Sequence, residues 1–358
     1  AKEFGSPVIV HAITEKGRGY SPAIEDIAEK FHAVGIVDPV TGKPLKASAP
    51  SWTNVFSDEI TKIGHENSNI VAITAAMLGP TGLDKFAQSF PDRTIDVGIA
   101  EQNMVGVAAG LANAGFTPFV CAASPFLTGR ALEQIKADVV YTRTNVKLCG
   151  MSPGVSYGEL GPTHHSIEDI AWMRALDSLP IVLPADEAQT KEAVTWAANT
   201  TGPVFMRIGR FKVPSVSQGQ KPAFIPNKAM RIIDGSDITI IATGTLVSRA
   251  VAAAAQLKAE GVSARVINLS TVSPLDTAEI LAAAKETKAI ITAEESVTRG
   301  GVGGAIAEFV VQNHPVAMKL LGTDTFAPTG STSYLLEHYG LTADSIIASA
   351  RELLKHGK

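Results

Sequence analysis

The chain has 358 residues, of which 45% are hydrophobic and 18% are charged, and its formal net charge is -4. This length and composition predict two or three domains with buried cores. The charges form no basic stripe and no apolar run reaches the roughly 18–20 residues of a membrane span, so we expect neither a nucleic-acid nor a membrane partner.

The chain begins with an apolar segment, residues 7–13, that predicts a β-strand. A lone strand needs a sheet to pair with. Residues 17–51 are rich in Gly, Pro, Lys and Asp and predict a long crossing linker. We therefore expect residues 1–50 to be the last strand of an upstream domain together with its linker.

An alternation of strands and helices follows, with Ser51 and Asp186 as predicted helix N-caps. This βα pattern predicts an α/β domain over residues 51–213, whose mostly parallel sheet is covered by helices on both faces. The predicted helices span 52–65, 103–114, 168–175 and 187–199, and the strands span 70–74, 118–122, 146–149, 180–183 and 204–208.

Residues 212–230 are polar and Pro-rich and predict a domain boundary. A second βα series predicts another α/β domain over residues 229–358. The glycine cluster at residues 299–304 opens one of its helices. It is typical either of an anion-binding turn or of close helix–sheet packing, and we favour packing. The predicted strands span 238–242, 264–268, 289–293 and 316–321, and the helices span 248–259, 276–285 and 302–313.

Four motifs carry candidate chemistry. In residues 96–102, Glu101 lies where a strand gives way to an Ala/Gly-rich helix. The others are residues 125–130, residues 158–165, and a Gly-Pro pair followed seven residues later by Arg210. In this order they resemble the pyrimidine-binding domain of thiamine-diphosphate enzymes of the transketolase superfamily. The second βα series resembles the C-terminal domain of that superfamily.

Two finer resemblances differ from one another. Residues 14–20, 31–34 and 38–42 resemble the join between the first two domains of 1-deoxy-D-xylulose-5-phosphate synthases. Residues 158–210 are more similar to the C-terminal subunits of split bacterial transketolases.

The resemblance implies two residues that bind thiamine diphosphate. Glu101 would hydrogen-bond a ring nitrogen of the aminopyrimidine and promote the tautomer that takes the thiazolium proton, with the cofactor supplying the hard chemistry. This task needs a carboxyl that keeps or shares a proton. The alternative is a solvated first-turn glutamate that favours the helix dipole. Phe126 would stack on the pyrimidine ring, or else be an ordinary core aromatic.

Other residues are implied to contact substrate. His164 and His32 would hydrogen-bond substrate oxygens or move a proton. Arg210 would bind a substrate phosphate, and Arg130 would be a second anion contact. The alternatives are a capping histidine for His164 and a surface ion pair for Arg210. We expect His165 to be structural.

Two positions depart from the family pattern. Leu160 stands where these enzymes have an aspartate that hydrogen-bonds a substrate hydroxyl. Ser152 stands where they have a phosphate-contacting histidine or arginine. Neither side chain can make the usual contact, so the substrate either differs or its phosphate is bound by Arg210 alone.

The family anchors the diphosphate through Mg²⁺ with a Gly-Asp-Gly motif and a downstream asparagine. The sequence contains no Gly-Asp-Gly, and the nearest string, at residues 234–236, falls in the wrong domain. We therefore expect no metal ligand here. A diphosphate-binding domain would hold the Mg²⁺, either upstream in the same polypeptide or on a partner subunit. We also expect a homodimer.

The resemblance implies transfer of a two-carbon unit to an aldose phosphate, of the 1-deoxy-D-xylulose-5-phosphate synthase type, with pyruvate and glyceraldehyde 3-phosphate as substrates. Transketolase or its split C-terminal subunit is the alternative. The β subunit of a 2-oxo-acid dehydrogenase and a non-catalytic subunit are further ones. Cys121 and Cys149 lie in apolar runs and predict buried thiols in a reducing compartment, the cytoplasm.

Overall fold

A computed structural model of the chain describes residues 1–26, 30–32, 34, 36–45 and 51–356. The chain divides into two compact units, residues 1–49 and residues 50–358, each described by itself. Residue 50, where the first domain boundary is predicted, lies outside the described residues.

The assignment of residues 7–13 of the N-terminal unit to the last strand of an upstream domain stays a prediction. These residues form no strand, and Ile9 is 93% exposed. The physical reason is that no described segment of this unit pairs with them, so their backbone groups face solvent. The unit has a short helix, α1 (Ser21–Glu25), and a turn at Asp38, whose carboxylate accepts hydrogen bonds from the backbone N–H groups of Val40 and Thr41.

The described residues of the second unit, 51–356, contain twelve strands in two sheets. In chain order they are β1 (Ile70–Thr74), β2 (Thr94–Asp96), β3 (Thr117–Ala123), β4 (Lys147–Met151), β5 (Ile181–Val182), β6 (Val204–Ile208), β7 (Met230–Ile233), β8 (Ile238–Ala242), β9 (Ala264–Asn268), β10 (Thr271–Ser273), β11 (Ala289–Ala293) and β12 (Ala317–Leu321).

Helices cover both sheets. They are α2 (Trp52–Glu66), α3 (Asp84–Ser89), α4 (Glu101–Asn113), α5 (Leu132–Gln134), α6 (Asp169–Arg174), α7 (Glu187–Asn199), α8 (Leu246–Ala259), α9 (Thr277–Glu286), α10 (Val302–Asn313), α11 (Thr332–His338) and α12 (Ala343–His356). Wide π-helical turns, Phe126–Arg130 and Ile135–Tyr141, flank α5.

Both sheets are mostly parallel, as predicted. The first has the order β10-β5-β6-β4-β3-β1-β2 and the second has the order β12-β11-β8-β9-β7. Only the edge strands β10 and β7 pair antiparallel among the described strands. Because β10 comes from the second βα series but completes the first sheet, the two series share one backbone hydrogen-bond network at that edge.

The sequence pattern explains most of these elements. The central strands of both sheets are buried along their whole length, as expected for parallel strands covered on two faces. The predicted N-caps are confirmed: Ser51 forms a capping box with Asn54, and the Asp186 side chain accepts from the N–H of Gln189. The Asp186 carboxylate also accepts from Ser217, which anchors the unpatterned segment between the two series.

The packing interpretation of the glycine cluster is confirmed, with an addition. A Cβ on Gly303 would lie 2.5 Å from the hydroxyl of Thr292 in β11 and 2.9 Å from the side chain of Leu320 in β12, so only glycine fits there. The start of α10 also holds an acidic side chain of the chain itself. The Glu294 carboxylate accepts from the N–H groups of Val302 and Gly303, at 2.7 Å each.

Candidate active site at the carboxyl edge of the first sheet

Four predicted site residues follow the carboxyl ends of strands in the first sheet. Glu101 follows β2, Phe126 follows β3, His164 lies on the loop after β4, and Arg210 follows β6. Because β2, β1, β3, β4 and β6 are neighbours and parallel, these ends meet at one edge. Ligands of open parallel sheets bind at this edge.

Glu101 is presented by a turn that its own motif builds. The Asp96 carboxylate accepts from the backbone N–H groups of Ala76, at 2.8 Å, and Gly98, at 2.9 Å. Gly98 has a φ of 71°, in the left-handed region that favours glycine. Helix α4 then begins at Glu101, whose side chain is buried. A solvated first-turn glutamate is therefore excluded.

Arg130 is the hydrogen-bond partner of that buried carboxylate. Its Nη1 donates to Glu101 Oε1 at 2.7 Å, and its guanidinium carbon lies 4.2 Å from the centroid of the Phe126 ring. The arginine side chain stays partly exposed. The predicted role of Arg130 as a second anion contact stays a prediction, and in the structure its guanidinium pairs with the buried glutamate.

His164 packs against the same aromatic ring. The ring centroids of Phe126 and His164 are 5.0 Å apart in an edge-on arrangement. The Nδ1 of His164 shares a hydrogen bond of 3.0 Å with the Thr163 hydroxyl, which leaves Nε2 for a ligand. Burial first, then the positive charge of Arg130, lower the pKa of His164 below its ordinary value, so the imidazole is neutral near pH 7.

Arg210 reaches this cluster through a residue that the sequence motifs did not single out. The Arg210 guanidinium lies over the ring of Tyr157, 4.7 Å from its centroid, and the Tyr157 ring lies 6.1 Å from that of His164. Arg210 also donates to the backbone oxygen of Ser156 at 3.3 Å, and the residue is exposed. Tyr157 directly precedes the Gly158 motif, and that position was the available signal.

A second missed feature is a buried ion pair beneath the site. Arg207, in β6, donates to both carboxylate oxygens of Asp169 at 3.0 Å, and Ser124 donates to the same carboxylate at 2.6 Å. Ser124 lies two residues before Phe126, so the pair ties the aromatic segment to the sheet. An arginine inside an otherwise apolar strand was the signal, because such a charge needs a partner.

The departures from the family pattern are visible in the structure. Leu160 is 48% exposed on the loop that carries His164, where its side chain offers no hydrogen bond. Ser152 is buried and its backbone N–H donates to the Ile208 oxygen at 2.9 Å. His165 is buried and its Nε2 hydrogen-bonds the Gly158 oxygen at 3.3 Å, in keeping with a structural role.

His32 lies in the N-terminal unit, where it is exposed. Its predicted contact with substrate stays a prediction. Among the described residues, no cluster of three or more His, Cys, Asp or Glu side chains is arranged to hold a metal ion. The helices described are all too short or too polar to cross a membrane.

The cluster can hold the aminopyrimidine end of thiamine diphosphate. The buried carboxyl of Glu101 would hydrogen-bond a ring nitrogen of the pyrimidine. The Phe126 ring, which Arg130 joins to Glu101, supplies an aromatic face. The adjacent imidazole of His164 would face whatever is attached to the cofactor. This donor set fits the group that the resemblance implies.

Comparisons with known proteins agree with this geometry. Residues 48–215 match the family "Transketolase, pyrimidine binding domain" and residues 227–346 match "Transketolase, C-terminal domain". One of the subunits of the apulose-4-phosphate transketolase of Phocaeicola vulgatus is 40% identical over 84% of this chain and 96% of its own length. The 1-deoxy-D-xylulose-5-phosphate synthase of Desulfitobacterium hafniense is 39% identical over 99% of this chain.

The chain spans 56% of the length of that synthase. Among solved structures, a split-gene transketolase in the form of an inactive beta4 tetramer superposes with a TM-score of 0.80, at 35% identity over 87% of this chain and all of its own. The transketolase of Leishmania mexicana shares the fold, with a TM-score of 0.74 at 21% identity over 87% of this chain and 47% of its own. The chain therefore belongs to the thiamine-diphosphate-dependent transketolase superfamily.

Proposed function

We propose that the protein transfers a two-carbon unit to an aldose phosphate, in a reaction of the 1-deoxy-D-xylulose-5-phosphate synthase type that joins pyruvate to glyceraldehyde 3-phosphate with loss of CO₂. The observation that carries this proposal is the buried Glu101 carboxyl, which Arg130 joins to the Phe126 ring. Thiamine diphosphate, when bound, supplies the carbon nucleophile of this chemistry.

The residues of this chain have separate tasks in the proposal. Glu101 holds a proton at the pyrimidine ring nitrogen, and Arg130 balances its charge when that proton leaves. Phe126 orients the ring by stacking. His164, neutral near pH 7, hydrogen-bonds the substrate carbonyl or hydroxyl oxygen through Nε2. Arg210 binds the acceptor phosphate, and its exposed guanidinium suits that task.

The diphosphate end of the cofactor and its Mg²⁺ are assigned to a separate diphosphate-binding domain, on the same polypeptide or on a partner subunit. Two features of the relatives support this assignment: the greater length of the synthases, and the division of the P. vulgatus transketolase into subunits. We propose a cytoplasmic homodimer, with the pyrimidine-binding domain at residues 51–213, the C-terminal domain at 229–358 and His32 as a substrate contact.

Transketolase activity is the second candidate, since the P. vulgatus relative is a transketolase subunit that matches over nearly its whole length. Leu160 and Ser152 depart from both patterns and favour neither. The synthase is preferred because its match includes the N-terminal unit, where the linker resemblance lies.

The donor distinguishes the two candidates. The complete enzyme, with its diphosphate-binding domain, is given glyceraldehyde 3-phosphate with either pyruvate or a ketose phosphate, and CO₂ release is measured. The proposal expects CO₂ with pyruvate in proportion to the ketose product formed. Consumption of the ketose phosphate alone would favour transketolase, and no turnover with either donor would contradict both.

Glu101→Gln tests the thiamine assignment. The variant keeps the size of the side chain but removes the carboxyl, so we expect turnover to fall by roughly a hundredfold or more. Glu187→Gln is the matched control, because Glu187 also begins a helix of 13 residues but is partly exposed and pairs with Lys212. Cofactor-dependent activity that survives Glu101→Gln would refute the assignment.

A further inference from the structure

The loop that carries His164 is closed at its base. Gly154 and Ser166 exchange two backbone hydrogen bonds, of 3.0 and 2.7 Å, so residues 154–166 form one lobe after β4. We call residues 154–166 the His164 loop. Tyr157 and His164 both belong to it, and its position sets where these side chains lie.

The C-terminal domain holds this loop through one carboxylate. Glu295, just past β11, is buried. Its Oε1 accepts from the backbone N–H of Val155 at 2.8 Å, and its Oε2 accepts from the Thr245 hydroxyl at 2.7 Å. Thr245 belongs to the same domain as Glu295, whereas Val155 belongs to the loop. The carboxylate is therefore a bridge between the two domains.

The backbone at Gly154 leaves room for this carboxylate. Gly154 has a φ of 62°, and a Cβ placed on it would lie 2.3 Å from Glu295 Oε1. A side chain at this position would both strain the backbone and displace the carboxylate. The close approach at Gly154 and the hydrogen bond at Val155 together fix the start of the loop against Glu295.

Further hydrogen bonds from the C-terminal domain support the rest of the loop. The Gly330 N–H donates to the Gly158 oxygen at 3.1 Å, and the Thr332 hydroxyl donates to the Val155 oxygen at 3.2 Å. Arg207 donates to the backbone oxygens of Ser166 and Glu295, at 2.7 and 2.9 Å. The same guanidinium pairs with Asp169, so one buried network joins the end of the His164 loop, Glu295 and Asp169.

We propose that Glu295 is a positioning residue: it holds the His164 loop so that His164 meets the substrate, and the C-terminal domain thereby contributes to catalysis without touching the reacting atoms. The inference rests on the proposed function, because it requires His164 to contact substrate. Catalysis depends on such placement, and a misplacement of about 1 Å costs roughly a hundredfold in rate.

The test compares Glu295→Ala, Glu295→Gln and Glu294→Gln in the complete enzyme. Glu294 is the matched control, since it is the neighbouring buried glutamate but its hydrogen bonds join it to Ser296, Val302 and Gly303 of its own domain. The measurements are kcat, KM, the affinity for thiamine diphosphate, and amide hydrogen exchange in the peptides that cover residues 154–166.

For Glu295→Ala we expect a fall in kcat of roughly ten- to a hundredfold and faster exchange in the His164 loop, with unchanged cofactor affinity. Glu295→Gln should recover most of the activity, because its Oε1 still accepts from Val155. Glu294→Gln should leave kcat and loop exchange unchanged. If Glu295→Ala does not fold, Thr245→Val is the second variant. It removes the hydroxyl that orients Glu295 and should cause a smaller fall in kcat.

Unchanged loop exchange in Glu295→Ala or Thr245→Val, or an equal fall in kcat with Glu294→Gln, would overturn the inference. The exchange measurement needs no turnover. If the enzyme is inactive with every donor but Glu295→Ala exchanges faster in the loop, the positioning role of Glu295 is supported and the proposed function is refuted.

Discussion

At the scale of single residues, Arg130 connects the two groups on which the proposed chemistry depends. It bonds Glu101 at 2.7 Å, and its charge helps to lower the pKa of His164. The guanidinium that hydrogen-bonds the buried glutamate therefore also helps to keep the histidine neutral. Both effects serve a site in which the glutamate exchanges a proton and the imidazole makes hydrogen bonds as a neutral group.

Arg130→Gln should move the acid limb of the pH–rate profile to higher pH. Removing the positive charge raises the pKa of His164 toward its ordinary value, so the imidazole becomes protonated at a higher pH than in the unsubstituted enzyme. The measurement is kcat/KM of the complete enzyme between about pH 5 and 8. Arg130→Lys keeps the charge and should keep the acid limb in place. An identical limb in both variants would exclude His164 as the titrating group.

The residues of the site were only partly predictable. The location of Glu101, Phe126, His164 and Arg210 at one sheet edge was predictable, because each lies in a local motif and the parallel sheet brings strand ends together. Tyr157 was not, since its contact with Arg210 joins segments far apart in the chain. The same limit applies to the bridge formed by Glu295, because hydrogen bonds between distant segments leave no local pattern.

At the scale of elements, most of the central ones were predicted, although the long helix α12 was missed. The strands β8, β9 and β11 and the helices α7 and α10 have the predicted bounds. The edge strands β7 and β10 were missed because an antiparallel edge strand needs little apolar sequence and its pairing depends on a distant strand. The π-helical turns around α5 were missed because hydrophobic periodicity does not distinguish them from loops.

The turn that opens α10 predicts a pH-dependent stability. Burial raises the pKa of Glu294 from 4.5 to about 7, and it outweighs the hydrogen bonds from Ser296, Gly303 and Val302 that oppose the rise. The folded state therefore holds this proton more tightly than the unfolded state. The contribution of this proton to the free energy of unfolding is complete below pH 4.5 and is lost as the pH rises through about 7.

Glu294→Gln should remove this dependence. Because one pKa unit is worth about 1.4 kcal/mol, the unsubstituted protein should lose roughly 3 kcal/mol of unfolding free energy relative to the variant between pH 4.5 and about 7. Urea unfolding at several pH values measures the difference. Parallel curves for the two proteins, or a gain for the unsubstituted protein as the pH rises, would contradict the assignment of this proton to Glu294.

At the scale of the whole molecule, the two sheets of residues 50–358 form one unit in which the second supports the first. Strand β10 extends the first sheet, Glu295 bonds the His164 loop, and Asp186 anchors the segment between the two series. The different roles of the two sheets follow from these contacts. The first sheet presents the groups that would face cofactor and substrate, and the second sheet fixes the loop on which His164 lies.

The cofactor contacts offered by residues 50–358 predict weak binding when this chain is alone. A charge-assisted hydrogen bond from Glu101 contributes about 1.5–3 kcal/mol and stacking on Phe126 about 0.5–1.5 kcal/mol. Their sum corresponds to a Kd of about 1 mM or weaker. We therefore expect calorimetry to detect little binding of thiamine diphosphate to this chain, with or without Mg²⁺.

The complete enzyme should bind thiamine diphosphate tightly, and a chelator should remove most of that affinity. Tight, Mg²⁺-dependent binding to this chain alone would show that it holds the diphosphate itself, and the assignment of Mg²⁺ to a separate domain would then be wrong.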